Sequence, residues 1–482
     1  MTRRVVGPFN RVEGDLEVQL EIEQGSIRDA RVVSPMYRGF ENMLHGRDPR
    51  DALVYTPRIC GICSVSQSVA AAKAIADAQG IAPPPNGEYA TNLVLANENV
   101  ADHLTHFYMF FMPDFARDEY RNQPWFGNAA QRFKALKGSA SAEMLPVRTE
   151  FLHLMGLLAG KWPHSLAIQP GGTTRAIEVQ EKHRILTILY SFRRFLEKNL
   201  FGDRLERIAE LDSAQALDSW RDEGAVESSD FRHFLAIAEA LQLDTLGRAS
   251  DRFMSFGAYE QPEGHLFQKG LWHGATASLD PDKIVEDVSH SWMMPGDGAK
   301  HPWDGVTQPD MGIEEGYSWC KAPRLDGEVV EVGAVARQVV DGHPLIRDLV
   351  AQSGGNVRNR VIARLLEIAR VTIAMEQWAG KLIPREPFCN QAPIPDEARG
   401  SGMVEAARGS LGHWVRIKKG RILNYQIIAP TTWNFSPRDS EGVPGALEQA
   451  LIGTPVAEEE KNPVSVQHIV RSFDPCMVCT VH

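Results

Sequence analysis

The stretch "RICGICSVSQS", residues 58–68, sets Cys60 and Cys63 two residues apart, immediately before a run that reads as a helix. The chain closes on "DPCMVCTVH", residues 474–482, where Cys476 and Cys479 repeat the spacing. Four thiolates so grouped can hold zinc, iron or nickel in a tetrahedral sulfur site. A structural zinc normally closes a short local loop, whereas these two pairs stand at opposite ends of the chain. If they share a metal, both ends meet in the middle of the fold. On spacing alone, a zinc staple and a catalytic metal both stay open.

The run after the first pair, "SVSQSVAAAKAIADAQG" (64–80), carries Val65, Val69 and Ala72 at helical spacing and stops at Gly80 before a proline run. Cys63 therefore falls at a helix start, where unpaired amides favour the thiolate. Further helical stretches are "EYATNLVLANENVADHLTHFYMFF" (88–111), "EVQEKHRILTILYSFRRFLEKNLFGDRLERIAEL" (178–211) and "NRVIARLLEIARVTIAMEQWAGKLI" (359–383). They are long and only partly amphipathic, as in a buried bundle. Two hairpins are expected at its edges. One puts Leu16, Val18, Leu20 and Ile22 on one face and turns at Gln24-Gly25. The other, in "HWVRIKKGRILNYQIIAP" (413–430), turns at Lys419-Gly420. Residues 255–345, rich in Gly, Pro, Trp and Asp, read as a loop-rich surface excursion. The expected class is mainly α with small β elements (α+β), residues 1–482 forming one interlocked domain.

Composition narrows the function. At 482 residues, 43% hydrophobic and 23% charged, the chain is long enough for a large core and carries no sign of disorder. Net charge −11 with scattered basic residues argues against nucleic acid. No apolar run approaches the roughly 20 residues of a membrane helix, so no direct membrane insertion is expected. The start "MTRRVVGPFNRVEGD" lacks the apolar core of a signal peptide, which predicts a cytoplasmic chain. Six cysteines are too few for a disulfide scaffold at this size, and Cys320 and Cys389 read as isolated buried thiols. "QPGGTTR" (169–175) lacks the ending of a phosphate loop, and His103 and His106 read as core histidines.

"RICGIC" followed by "DPCMVCTVH" resembles the large subunit of NiFe-hydrogenases, and the resemblance runs the length of the chain. "RVEGDLEV" (11–18), "YRGFENMLHGRDPRDA" (37–52), "ADHLTHFY" (101–108), "YSWCKAPRLDGEVVEVGAVAR" (317–337), "EAARGSLGHW" (405–414) and "NYQIIAPTTWN" (424–434) are similar to that family's segments, in its order. The resemblance implies the family's fold, a buried helical bundle with peripheral hairpins, and heterolytic cleavage of H2. It implies Cys60 and Cys476 as terminal nickel ligands, and Cys63 and Cys479 as bridges to an iron bearing cyanide and carbon monoxide. Soft thiolates suit nickel, and strong-field diatomics keep the iron low-spin. Arg408 would lie above the open position, held by Asp102 and Asp474. The base is left between Arg408 and the Cys476 thiolate, and Glu13 would carry the proton onward. Read from the residues alone, Glu13 pairs with Arg11, Asp102 is a solvated helix residue and Asp474 a helix cap.

The resemblance also implies a second metal, Mg2+, bound by Glu41, His482 and a backbone carbonyl near Ile427. Thr431 and Arg408 would donate toward the iron cyanides. Three positions depart from the common pattern. Gln67 stands where most members carry His, Ala407 where proline is usual, and Asp15 where histidine is often found. Ile62 and Phe110, two turns beyond Asp102 on the face of His106, would narrow the gas path. With Gln67 they are similar to the regulatory, hydrogen-sensing branch. That implies an oxygen-tolerant enzyme of low turnover, a small subunit carrying iron–sulfur clusters, and signalling to a histidine kinase. The alternative is an energy-conserving uptake hydrogenase. A quinone-binding relative in respiratory complex I lacks the four cysteines and fits poorly.

Overall fold

A computed structural model describes residues 2–457 and 460–482. Strands β1 (Thr2–Val6), β2 (Glu17–Glu23) and β3 (Ser26–Val33) form an antiparallel sheet in that order. Leu16, Val18, Leu20 and Ile22 all point to the core, and Gln24 and Gly25 both take positive φ (51° and 74°), as a two-residue hairpin turn requires. β1 escapes the hydrophobic pattern because it is an edge strand in which Arg3 is exposed and Arg4, opposite Leu20, is half-buried.

Helix α1 (Ser64–Gln79) follows the first cysteine pair and ends on Gly80, which is left-handed at φ 68°. Helix α2 (Pro85–Thr105) runs on into one π-turn, His106–Phe111. The turn holds an extra residue, so the position sharing a face with His106 moves one further along the chain. Phe111 stacks on His106 with centroids 5.8 Å apart, while Phe110 is half-buried and its carbonyl accepts from Arg11 at 3.1 Å. Phe110 thus does not lie on the His106 face that α-helical counting gives it.

Helix α3 (Val179–Phe195) covers only half of the helix expected to 211: a π-turn and left-handed Gly202 (φ 67°) break it, and a short helix resumes at Leu205–Ala209. Helix α4 (Val357–Lys381) packs on α2 through the centre. There His103 and Glu367 are 3.2 Å apart, and Arg337 donates to Glu367 at 2.8 Å and to Glu405 at 2.8 Å. Strands β4 (Glu397–Ala406), β5 (Gly409–Lys418) and β6 (Arg421–Ile428) form a second antiparallel sheet, with the β5–β6 turn at Lys419-Gly420 as expected. Helix α5 (Val464–Phe473) leads into the second cysteine pair. Most buried apolar residues, from Val6 to Cys479, form one large cluster, and a smaller one gathers Met254, Phe256, Trp414 and Trp433.

The excursion at 255–345 is built from short strands and turns, as its composition predicts, yet it is not confined to the surface. The ribbon of Ile284–Asp287 with Ala322–Leu325 carries Glu286 and Arg324 into the interior, next to buried Lys321. Among the described residues, no helix is long and apolar enough to cross a membrane.

The contact of α1 with β4 fixes where the first cysteine pair sits. A Cβ at Gly400 would lie 2.1 Å from the carbonyl oxygen of Ala74, and one at Gly402 would lie 1.9 Å from that of Ala70. Both glycines exist because a helix backbone passes directly over the strand. We expect Gly402→Ala to push α1 outward and cost about 1–3 kcal/mol or more. Thermal unfolding with nickel quantification checks this, and an unchanged melting temperature and metal content would show that the helix has slack there.

Candidate metal centre

The sulfurs of Cys60, Cys63, Cys476 and Cys479 all lie within 4.8 Å of one another, and all four residues are buried. Sγ–Sγ distances are 3.5 Å for Cys60–Cys476, 3.0 Å for Cys63–Cys479 and 3.2 Å for Cys476–Cys479, and all four cysteines are free. Such a group cannot ionise fully unaided. Hydrogen bonding from Cys476 and the other thiols pulls Cys60 well below the usual thiol range, and the same contacts, with burial, push Cys63 and Cys479 well above it. A soft divalent cation supplies the missing positive charge, so the donor set fits a thiolate-bound metal.

The second pair reaches the first because the N-terminal segment is stitched to it. The Glu13 amide donates to the Pro475 carbonyl (3.3 Å) and the Met477 amide to the Glu13 carbonyl (2.7 Å), a parallel bridge that brackets Cys476. Gly14 must be glycine here, since its φ is 82° and a Cβ would meet Val478 at 3.1 Å. The expected Glu13–Arg11 pair is absent: Arg11 turns to buried Asp114, and Arg471 from α5 joins the same carboxylate at 2.9 Å. Glu13 is left half-buried without an ion-pair partner among the described residues. Burial and the nearby Cys60 raise its pKa, against the pull of Arg408.

Arg408 is buried and held on two sides, by Asp102 at 2.5 and 3.3 Å and by the Asp474 carboxylate at 3.2 Å and carbonyl at 3.0 Å. Burial alone would lower its pKa, but Asp102, Asp474 and the thiols raise it well above the ordinary arginine range. Asp102 and Asp474 are therefore neither solvated nor idle. Burial raises Asp102 to about 7 against Arg408, while Arg408, His106 and Arg364 outweigh burial and hold Asp474 low. Ala407 is buried, and its carbonyl and that of Ala406 accept from Arg337 at 3.0 and 2.8 Å. Arg337 thus grips the turn that presents Arg408.

Around the sulfurs, the Ile62 amide donates to Cys60 Sγ at 3.3 Å and the Cys476 amide to Thr431 Oγ1 at 3.1 Å. Ile62 is half-buried against the core. Gln67, one helical turn past Cys63, is fully buried. Its Oε1 accepts from His413 Nε2 at 2.8 Å, and its amide nitrogen has no partner among the described residues. Burial lowers His413 to about 3, so the imidazole is neutral, donating to Gln67 and accepting from Tyr425 at 2.8 Å.

A second polar cluster surrounds Glu41. Its Oε1 lies 3.3 Å from His482 Nε2 and accepts the Ile427 amide at 2.8 Å, while Oε2 meets Lys321 Nζ at 3.2 Å and the Thr307 hydroxyl. Burial would raise Glu41, but Lys321, His482 and Thr307 hold it at about 2. His482 is anchored through Nδ1 to the Cys479 carbonyl at 2.7 Å, so this cluster and the thiols share one backbone segment. Sequence reading missed Lys321, Glu286, Thr307 and Gln426. Glu286 Oε1 is buried without a partner among the described residues, and a cavity of about 10 Å³ lies between Glu41, Glu286, Lys321 and His482. Two carboxylates against one ammonium around a water-sized space fit a small hard cation.

Residues 38–117 and 139–482 match the family described as nickel-dependent hydrogenase. The chain is 29% identical to the periplasmic [NiFeSe] hydrogenase large subunit of Desulfomicrobium baculatum, over 99% of this chain and 94% of that one. It is 29% identical to the uptake hydrogenase large subunit of Rhodobacter capsulatus (100% and 95%) and 28% to the hydrogenase-2 large chain of Escherichia coli K12 (100% and 97%). Among solved structures, the reduced Ni-Fe-Se hydrogenase of D. vulgaris Hildenborough superimposes with a TM-score of 0.84 at 30% identity, covering all of both chains. A quartet of buried thiols from both chain ends, with a family match over most of the length, has one reading: this chain belongs to the nickel-dependent hydrogenases and is a hydrogenase large subunit.

Proposed function

We propose that the chain splits H2 heterolytically at a nickel–iron centre that the four thiolates would hold, Cys60 and Cys476 as ligands to nickel alone and Cys63 and Cys479 as ligands it would share with iron. When bound, that centre, with cyanide and carbon monoxide on iron, polarises dihydrogen and takes up its two electrons. The observation that carries the division of labour is the double clamp on Arg408. A guanidinium paired with two carboxylates keeps its proton, so it acts as a fixed positive group beside the sulfurs. The proton acceptor is then the Cys476 thiolate, with Glu13, the half-buried and unpaired carboxyl beside it, taking the proton onward. Thr431 steadies the Cys476 amide, Ala407 carries the backbone that aims Arg408, and Gln67 has a free amide for a thiolate. Glu41, His482 and the Ile427 peptide frame an Mg2+ site.

We further assign the chain to the hydrogen-sensing branch. We place bulky Ile62 and Phe110 in the gas path, Phe110 although it is turned off the His106 face, and with Gln67 they support that reading. Electrons then pass to iron–sulfur clusters of a small subunit and on to a histidine kinase, in the cytoplasm and with low turnover. The names of the relatives favour the second reading, an uptake hydrogenase feeding respiration, and one relative is named as periplasmic.

Three experiments test these assignments. Cys479→Ser is expected to lose nickel and iron together, and stoichiometric retention of both would remove the bridging role. Glu13→Gln should slow hydrogen–deuterium exchange with water by at least about 100-fold with metal content unchanged, and normal exchange would take Glu13 off the proton path. For the branch, the double variant Ile62→Val with Phe110→Leu should make hydrogen oxidation sensitive to dioxygen. Inhibition already present in the parent, with rapid turnover, would point to the uptake enzyme.

A further inference from the structure

Helix α1 begins with a conflict. The residue in its N-cap position is Cys63, and an N-cap side chain ordinarily accepts hydrogen bonds from the first amides of its helix. Cys63 makes no such bond. With no cap from the Cys63 side chain, the first amides of α1 need another acceptor.

That acceptor comes from a different helix. Glu98, on α2 and 2% exposed, reaches across with both carboxylate oxygens. Its Oε2 accepts from the Val65 amide at 2.8 Å and its Oε1 from the Ser66 amide at 2.9 Å. The hydroxyls of Ser66 (3.1 Å) and Ser64 (3.4 Å) add to the same two oxygens, as does the Trp162 indole nitrogen at 2.9 Å. All five partners are donors, and Glu98 forms no ion pair among the described residues. The positive end of α1 is therefore its principal electrostatic counterpart. Trp162 extends the arrangement to the outer rim of the cysteine loop, where His164 Nδ1 lies 2.9 Å from the Pro57 carbonyl and the His164 amide donates to Ser64 Oγ at 3.3 Å.

We propose that Glu98 is the N-cap of α1 supplied in trans, and so a positioning residue for the Cys63 thiolate. The proposal rests on the reading of Cys63 as a metal ligand. Glu98 does not touch the reacting atoms; it holds the first turn of α1, and hence the backbone next to Cys63, in the position that points the sulfur at the other three. A general core role for Glu98 predicts a loss of stability alone, whereas capping in trans predicts a change at the metal.

The test compares the loaded protein with Glu98→Gln, Glu98→Ala and, as a control one residue away, Asn97→Ala. Asn97 donates to the Phe151 carbonyl at 2.9 Å, so its hydrogen bond goes to a partner outside α1. Glutamine keeps the shape of Glu98 but turns a donor toward one of the two amides. Glu98→Gln should therefore shift the nickel electron paramagnetic resonance g values and cut nickel retention under a chelator about 10-fold, with Glu98→Ala nearer about 100-fold. Asn97→Ala should lower the melting temperature and leave the nickel spectrum in place. A Glu98→Gln protein with the parent's spectrum and retention overturns the proposal. Should Glu98→Ala fail to fold, the isosteric glutamine variant decides alone. Cys63→Ser, measured in parallel, separates the premises: an unmoved nickel spectrum there overturns the ligand reading, while a moved one beside a silent Glu98→Gln overturns only the cap.

Discussion

Four thiols held within 4.8 Å of one another in a dry interior repel as they ionise, and only a cation can keep them together as thiolates. Much of the surrounding architecture serves that requirement. β4 gives up two side chains so that α1 can lie on it and bring Cys60 and Cys63 inward. The N-terminal segment brackets Cys476 with two backbone hydrogen bonds. Asp114 gathers Arg11 and Arg471, and so ties the segment carrying Glu13 to the helix that delivers the second pair.

The charged groups near the sulfurs form a graded series. Arg337 is consumed by Glu367 and Glu405 in the core, Arg408 is shared between Asp102 and Asp474 beside the thiols, and Glu13 is left unpaired. Pairing deepens the charge state of the two arginines, whereas an unpaired carboxyl is left able to change. In this series Glu13 is the carboxyl without an ion pair among the described residues, and it is also the one joined to Cys476 through the backbone. Fixed charge and mobile proton are thereby separated within a single site.

Local signals made a good part of this legible. The two hairpins are readable because Gln24-Gly25 and Lys419-Gly420 are turn pairs between alternating runs, and α1 because alanine and a terminal glycine say helix. β4 is hidden because Gly400 and Gly402 argue against a strand until one knows that α1 crosses there. The π-turn at 106–111 adds a residue that no pattern announces, which is why Phe111 and not Phe110 meets His106. Lys321 and Glu286 look like surface charges in a loop-rich segment, and only tertiary structure shows each neutralising the other's burial beside Glu41. The thiol quartet was legible as a pair of motifs, while Glu98, a lone acid in a helical run, carried no signal at all.

Cys60 and Cys476 stand 416 positions apart. A ribosome adding roughly 5–20 residues per second needs on the order of 20–80 s to travel between them. Throughout that interval the first thiol pair exists without the second, on a helix whose packing partner β4 (Glu397–Ala406) is made long after it. The core cannot close by local folding alone, because its last contacts join the most distant parts of the chain. Until then the half-built thiol site stays open to solvent and to any soft ion within reach, and a four-thiolate site exists only once the second pair has been made.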